Sequence, residues 1–260
     1  MAGIRAEIRP SPITIALSRT SGRIAARLMR AIAIGVPVGT INFLSVRSGG
    51  ITALLREALQ EIHDDLCIVE LAAGFSPRGV ELAQALPHAE VIEVDLPDVI
   101  QEKKKRLEKM RPFVLPSNLY WREADLGRTP LSEVLEGKMA HAVATEGLLP
   151  YFPPEKIVHI VKSIRLNLKP GGVLVCDMAW KKGIHAGGEG SRYLSRQAGA
   201  FLGAMETPEQ GCSLLTQAGY TDVSFHLPTV LAAKYDLPRP VSDLQFIVVG
   251  RNAEKGLEPV

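Results

Sequence analysis

CIVELAAGFSPRGVELAQALPHAEVIEVDLPD, residues Cys67 to Asp98, contains in order a buried strand, a turn of small residues, a helix and a second strand ending on an acid. The run Cys67 to Leu71 is apolar except for Glu70 near its end. Ala72, Ala73 and Gly74 then remove the side-chain bulk that would keep the backbone away from a ligand. About twenty residues past Gly74, Asp95 closes the next strand and is followed by Leu96. A carboxylate at that distance from the turn accepts hydrogen bonds from ribose hydroxyls in nucleotide-binding βαβ units. Glu70, Ala72, Gly74, Asp95 and Leu96 are therefore the first candidate cofactor-binding residues.

The turn departs from G-x-G-x-x-G. Ala72 stands where the first glycine would be, and Phe75 occupies the space a pyrophosphate would need at the helix start. This favours a ligand without phosphates, S-adenosylmethionine, over NAD or another nucleotide, with an empty doubly wound domain as the remaining reading.

Composition narrows the class. At 260 residues and 46% hydrophobic content the chain can bury a full core, and it suits one domain with an appended element. The formal net charge is +2, and the densest basic run, Lys103 to Lys109, has helical spacing with acids interleaved. That run reads as a solvated helix face, so no nucleic-acid partner is expected. Cys67, Cys176 and Cys212 form no C-x-x-C and read as reduced thiols of a cytoplasmic protein. No His, Cys and acid cluster has metal-ligand spacing, so no metal is expected. Pro10 and Pro12 break the apolar stretch a secretory signal would need. The charge-free segment Ala31 to Val46 is too short and too interrupted for a membrane span and reads as a buried or pocket-lining element.

Along the chain, strands are expected at 66–71, 90–95, 119–123, 140–145, 172–178, 221–227 and 244–251. Helices are expected at Gly79 to Ala85, Val99 to Met110, Leu131 to Leu135, Pro154 to Leu168 and Pro208 to Ala218. Before the first strand, residues 12–62 look mainly helical, most clearly at Ser21 to Ile34 and Gly50 to Ile62. That order gives an α/β fold, a seven-stranded and mostly parallel sheet with helices on both faces. Between the last two strands no helix of full length is expected, so they form an antiparallel hairpin at the sheet edge. A dinucleotide fold would continue with a helix and a parallel strand, whereas the class I methyltransferase fold ends in this hairpin. The expected division is a helical cap or lid over 1–62 and a Rossmann-like core over 63–260, with an acceptor-pocket insertion around 180–207.

Four phrases together resemble the leucine carboxyl methyltransferase family, which includes the polyketide carboxyl O-methyltransferases. EVDLPDVIQEKKKRL, Glu93 to Leu107, is similar to its acid-tipped second strand and Lys-bearing helix. ATEGLLPYFPPEKI, Ala144 to Ile157, resembles its fourth strand with a Glu-Gly tip. SVRSGGITALL, Ser45 to Leu55, is similar to its Arg-bearing N-terminal helix, and EADL, Glu123 to Leu126, to its third-strand tip. The resemblance implies that Asp95 holds the ribose diol of S-adenosylmethionine and that Asp125, with the backbone of Leu126, faces the adenine amino group. It implies further that Arg47 meets the methionyl carboxylate and that Glu146 lies near the ammonium. A cation and an anion on opposite sides suit a zwitterion, and arginine offers a bidentate fork for carboxylate. Where the family more often has glycine and aspartate in the first turn, this chain has Ala72 and Ser76.

The activity implied is S-adenosylmethionine-dependent O-methyl transfer to a carboxylate or hydroxyl of a small acceptor, and the apolar segment before the first strand suggests that the acceptor is apolar. A protein C-terminal carboxylate is the alternative acceptor, and a catalytically silent S-adenosylmethionine-binding partner subunit is the alternative class. A carboxylate acceptor is already ionised and needs no general base, whereas a phenol needs one. Tyr151, His185 and Tyr193 are the candidates for that role. No stable membrane insertion is expected, and the sequence leaves the oligomeric state open.

Overall fold

Five consecutive buried residues, Cys67–Leu71, form strand β1, paired on both sides by parallel neighbours. A strand so placed is covered on both faces, which is why its sequence is nearly continuous in apolar residues rather than alternating. The computed structural model describes residues 2–32, 38–60, 62, 65–110, 112–186, 188 and 199–253. Helices α1 (Ala2–Ile8), α2 (Pro12–Leu17), α3 (Thr20–Ile32) and α4 (Val38–Leu59) precede β1. Then follow α5 (Arg78–Ala85), β2 (Glu90–Asp95), α6 (Pro97–Glu108), β3 (Leu119–Glu123), α7 (Leu131–Val134) and β4 (Ala140–Thr145). A 3-10 turn at Leu149–Tyr151 leads into α8 (Pro154–Leu166), β5 (Leu168–Ala179) and α9 (Lys181–Ala186). The chain closes with α10 (Pro208–Gln217), β6 (Tyr220–His226), α11 (Pro228–Lys234) and β7 (Gln245–Asn252).

The seven strands form one sheet in the order β3-β2-β1-β4-β5-β7-β6. The first five are parallel, and β7 runs antiparallel to both β5 and β6. The expected terminal hairpin is therefore present, with only the seven-residue α11 in its connection.

Side-chain alternation divides the sheet into two apolar layers. Val69, Leu71, Ile92 and Val94 point to a layer completed by Ile157, Val161 and Ile164 of α8 and Leu215 of α10. Ile68 and Val91 point to the other, completed by Ile51, Leu54 and Leu55 of α4, Val80 of α5, Leu107 of α6 and Leu231 of α11. Period-two alternation then places Glu70 and Glu93 on the second face.

One boundary differs from the sequence pattern. The pattern starts a helix at Gly50, but α4 begins at Val38 and continues through Gly49 and Gly50 for 22 residues. Tertiary packing overrides the poor helix propensity of two glycines. A Cβ at Gly50 would sit 2.8 Å from Leu231 Cδ1, so a bare backbone is what lets α11 approach. Most apolar residues of this run are used in packing, with Val38 at the helix start left exposed. Ile41, Phe43 and Leu44 form a buried cluster with Ile4, Ala26 and Leu244 that fastens the N-terminal helices to the entry of β7. Residues 33–37 of the charge-free segment lie outside the described residues. Among the described residues no helix is long and apolar enough to cross a membrane.

Candidate functional site

Because β1 to β4 are parallel, their carboxyl ends share one edge, and that edge gathers the turn after Leu71, Asp95, Asp125 and Glu146. Open parallel sheets bind ligands in the crevice at this edge. In the turn, Ala72 and Gly74 take φ of 52° and 50°, the left-handed region. Glycine adopts it freely, whereas alanine does so at a cost of roughly 1–2 kcal/mol. The geometry is fixed from β2: Asp95 Oδ2 accepts the Gly74 N–H at 2.6 Å and Oδ1 accepts the Leu96 N–H at 2.7 Å. Each carboxylate oxygen keeps a further lone pair, which leaves Asp95 able to accept from a diol.

Two cavities flank this turn and share Ala72. The first, about 580 Å³, runs along Asp95, Leu96, Asp125 and Leu126 and is closed by Phe152 and Ile160. Asp125 Oδ1 accepts the Gly127 N–H at 2.9 Å, which orders the loop behind it. The second, about 450 Å³, is walled by Glu70, Gly74, Ser76 and Glu146 and roofed by Arg5 of α1.

Behind the smaller cavity lies a buried network of three guanidinium groups and three carboxylates. Glu146 accepts from Arg5 at 2.9 Å, Arg47 at 3.0 Å and Arg78 at 2.6 Å. Arg78 also binds Glu70 at 2.5 Å, while Arg47 binds Asp177 at 3.0 Å and Gln245 at 2.7 Å. Asp177 is fixed in turn by the Gly147 N–H at 2.7 Å. The charges balance, which is what lets so many ions stay buried. Burial opposes the charge on Glu146, but Arg5, Arg47 and Arg78 outweigh it and hold the carboxyl far below the ordinary carboxylate range. At Asp177 burial prevails over Arg47, so its carboxyl is raised.

Two polar atoms of residues that line this cavity are buried and have no hydrogen-bond partner among the described residues: Glu70 Oε2 and Arg5 Nε. A carboxylate oxygen and a guanidinium N–H left unmade at such a site cost roughly 1–3 kcal/mol each or more. Together they complement an ammonium and a carboxylate, the two ends of a zwitterionic amino acid.

The structure thus brings Glu70, Ala72, Gly74, Asp95, Leu96, Asp125, Leu126 and Glu146 to one edge, along the two cavities. Arg47 lies behind Glu146 rather than on the cavity wall. Arg5 and Arg78 carry much of the electrostatics and escape a motif reading. Arg5 sits in a helix 62 residues before β1, and Arg78 follows a proline at a helix start, where a solvent-exposed cation is the ordinary expectation. Of the acceptor-side candidates, Tyr151 is half-buried and stacks on Phe201 at 5.6 Å between ring centroids. Burial pushes its phenol up, so it is a hydrogen-bond donor at neutral pH rather than a base. His185 is exposed on α9, with Nδ1 2.8 Å from the Lys181 carbonyl of its own helix. Tyr193 lies outside the described residues. Among the described residues no group of three or more His, Cys, Asp or Glu side chains could hold a metal ion.

Comparison with known proteins places this edge in context. A family model, leucine carboxyl methyltransferase, matches residues 25–165, more than half of the chain. No curated protein sequence matches. Among solved structures, an O-methyltransferase assigned as such in Nostoc punctiforme superposes with a TM-score of 0.57 at 17% identity, covering 96% of this chain and 72% of that one. The apo form of the S-adenosylmethionine-dependent methyltransferase SibL gives 0.59 at 17% identity, over 97% and 66%. Human N-acetylserotonin methyltransferase, solved with S-adenosylmethionine, gives 0.52 at 18% identity, over 93% and 70%. The fold is that of the class I methyltransferases.

Proposed function

The chain belongs to the leucine carboxyl methyltransferase family, and from that premise we propose that it transfers the methyl group of S-adenosylmethionine to an oxygen of a small-molecule acceptor. The observation that carries the cofactor assignment is the pair of unpartnered buried atoms, Glu70 Oε2 and Arg5 Nε, on two residues that line one cavity. A methionyl group supplies both missing partners, its ammonium to Glu70 and its carboxylate to Arg5. Asp95 accepts from the ribose diol in the adjoining cavity, and Asp125 with the Leu126 backbone faces the adenine.

When bound, the cofactor supplies an electrophilic methyl on a sulfonium, and the chain's task is alignment and exclusion of water. Arg47 and Arg78 hold Glu146 as an anion at the cavity wall, so the site keeps its charge balance as the zwitterion enters. A carboxylate acceptor is the reading best supported. It needs no proton removed, and the described acceptor side offers a protonated phenol at Tyr151 but no buried imidazole beside it. An apolar acceptor body finds support in the Tyr151–Phe201 stack rather than in the segment before β1, where Ile41, Phe43 and Leu44 are packed in a buried cluster. A protein C-terminal carboxylate is the second reading, drawn from the family's name alone.

Calorimetry with S-adenosylmethionine tests binding, and transfer of label from methyl-labelled cofactor to a metabolite extract tests turnover. Binding without transfer to any pool would reduce the protein to a silent binder. Absence of binding would remove the cofactor assignment altogether.

A further inference from the structure

The first 56 residues contain eight arginines and a single acid, Glu7, while the remainder of the chain carries five more acidic than basic side chains. Nearly every described arginine of the molecule has work to do. Arg5, Arg47 and Arg78 serve the buried network, Arg23 binds the Ile15 and Ser18 carbonyls, Arg27 pairs with Glu7, and Arg106 binds Glu102 and the Leu17 carbonyl. The side chains of Arg9 and Arg56, like that of Arg19 elsewhere, form no ion pair or hydrogen bond among the described residues. Arg9 and Arg56 line a third cavity of about 860 Å³, enclosed by the α1–α2 link, one face of α4, the start of α5 and the end of α11.

The face that α4 gives this cavity bears no apolar side chain larger than alanine. Gly49 lies at its centre, and a Cβ there would come within 2.8 Å of Arg9 Nη1, so the bare backbone seats that guanidinium against the helix. Arg56 stands two turns further along the same face. Lys234 and Arg78 add two cations, already matched by Glu57 and by Glu70 with Glu146. Glu81 lies in the first turn of α5, where the helix dipole favours it. Set against Glu81, Arg9 and Arg56 leave a net positive charge, presented as two forks that suit carboxylate or phosphate geometry. The volume falls within the range of small-molecule sites.

We propose that this groove binds a small polyanion carrying two or more carboxylate or phosphate groups, held by Arg9 and Arg56. The site is separate from the methyl-transfer cavity, with Arg5 as part of the wall between them, and the proposal does not depend on the cofactor reading. The test is isothermal titration of the cofactor-free full chain at low ionic strength with pyrophosphate and with citrate. At least one is expected to bind. The double variant Arg9→Gln/Arg56→Gln should weaken that binding at least tenfold, with an unchanged circular dichroism spectrum. Lys138→Gln, on the opposite edge of the sheet and paired with Glu90, should leave it intact. Failure of both probes to bind at millimolar concentration, wild-type affinity in the double variant, or an equal loss in Lys138→Gln would each overturn the proposal.

Discussion

Glu70 of β1 and Glu93 of β2 are register partners on the same buried face of the sheet, and each is neutralised by a cation of its own. Arg78 reaches Glu70 from α5 at 2.5 Å, and Lys103 reaches Glu93 from α6 at 2.6 Å. Gly79 makes room for the second pair, since a Cβ there would run into the Glu93 carboxylate. Both members of the Lys103–Glu93 pair are fully buried. Removing one partner of such a pair costs roughly 3–5 kcal/mol, whereas replacing both by apolar side chains is often neutral or better. Lys103→Met should therefore destabilise the chain by about that much in urea unfolding, and Lys103→Met/Glu93→Leu should recover most of the loss. A single variant as stable as wild type would show that the pair is not strained by its burial.

The same pair sets a pH dependence. Burial pushes the Glu93 carboxyl from its ordinary 4.5 up to about 7, against the pull of Lys103 and with a further push from Glu70. A carboxyl raised in the folded state binds its proton more tightly there than in the unfolded chain. Its contribution is complete below pH 4.5 and is lost as pH rises through about 7. Unfolding free energy of wild type, compared with Glu93→Gln, should fall across that window. Parallel stability curves would show that Glu93 titrates alike in both states.

Glu146 has the opposite sign. Burial opposes its charge, but Arg5, Arg47 and Arg78 hold its carboxyl well below the ordinary range, so its contribution is present above the unfolded value and lost only as pH falls. Glu146→Gln should lower stability at pH 7 by several kcal/mol, the cost of stranding buried guanidinium groups, and the deficit should shrink on acidification. Thermal unfolding at pH 7 and pH 3 measures both, and a deficit independent of pH would assign the loss to packing instead.

Much of the sheet was legible in the sequence because parallel strands buried on both faces leave largely apolar runs, as at Cys67–Leu71 and Ala140–Thr145. The same pattern places Asp95 at the edge where ligands bind, whereas Asp125 and Glu146 come from the family resemblance, Asp125 after an edge strand that is only partly buried. The network was not legible. Nothing local to Arg5 or Arg78 distinguishes a buried arginine from a solvated one, because their partners lie 141 and 68 positions away at Glu146. Helix α4 misled for a physical reason as well, since glycines that end helices in isolation here admit Leu231 and Arg9 at close range.

Asp95 holds the turn through the Gly74 amide, and in the proposed role it also offers its remaining lone pairs to the ribose. Asp95→Ala should weaken S-adenosylmethionine by about 1.5–3 kcal/mol, the worth of hydrogen bonds to a charged group. Asp95→Asn, which still accepts through one oxygen, should lose less. Calorimetry on both variants decides, and unchanged affinity in Asp95→Ala would remove the diol from this residue.

Arg5 and Arg47 share Glu146 as a partner but differ in what else they face, and this difference separates two roles that a single loss of affinity would confuse. Arg5 lines the cavity and donates there only to Glu146 and the Phe75 carbonyl, whereas Arg47 does not line it and donates to Glu146, Asp177 and Gln245. A residue that binds the methionyl carboxylate directly loses affinity only for ligands that carry that group. A residue that only holds the cavity wall in place, as Arg47 holds Glu146, loses affinity for every ligand of the cavity. Arg5→Gln should therefore weaken S-adenosylmethionine roughly tenfold or more, as for one charge-assisted hydrogen bond, and leave a carboxylate-free analogue nearly unaffected. Arg47→Gln should weaken both alike and also lower the melting temperature, because it leaves Asp177 buried without its cation. The reverse pattern, with Arg47→Gln sparing the carboxylate-free analogue and Arg5→Gln not, would return the carboxylate to Arg47 and make α1 a cover rather than a ligand-binding element.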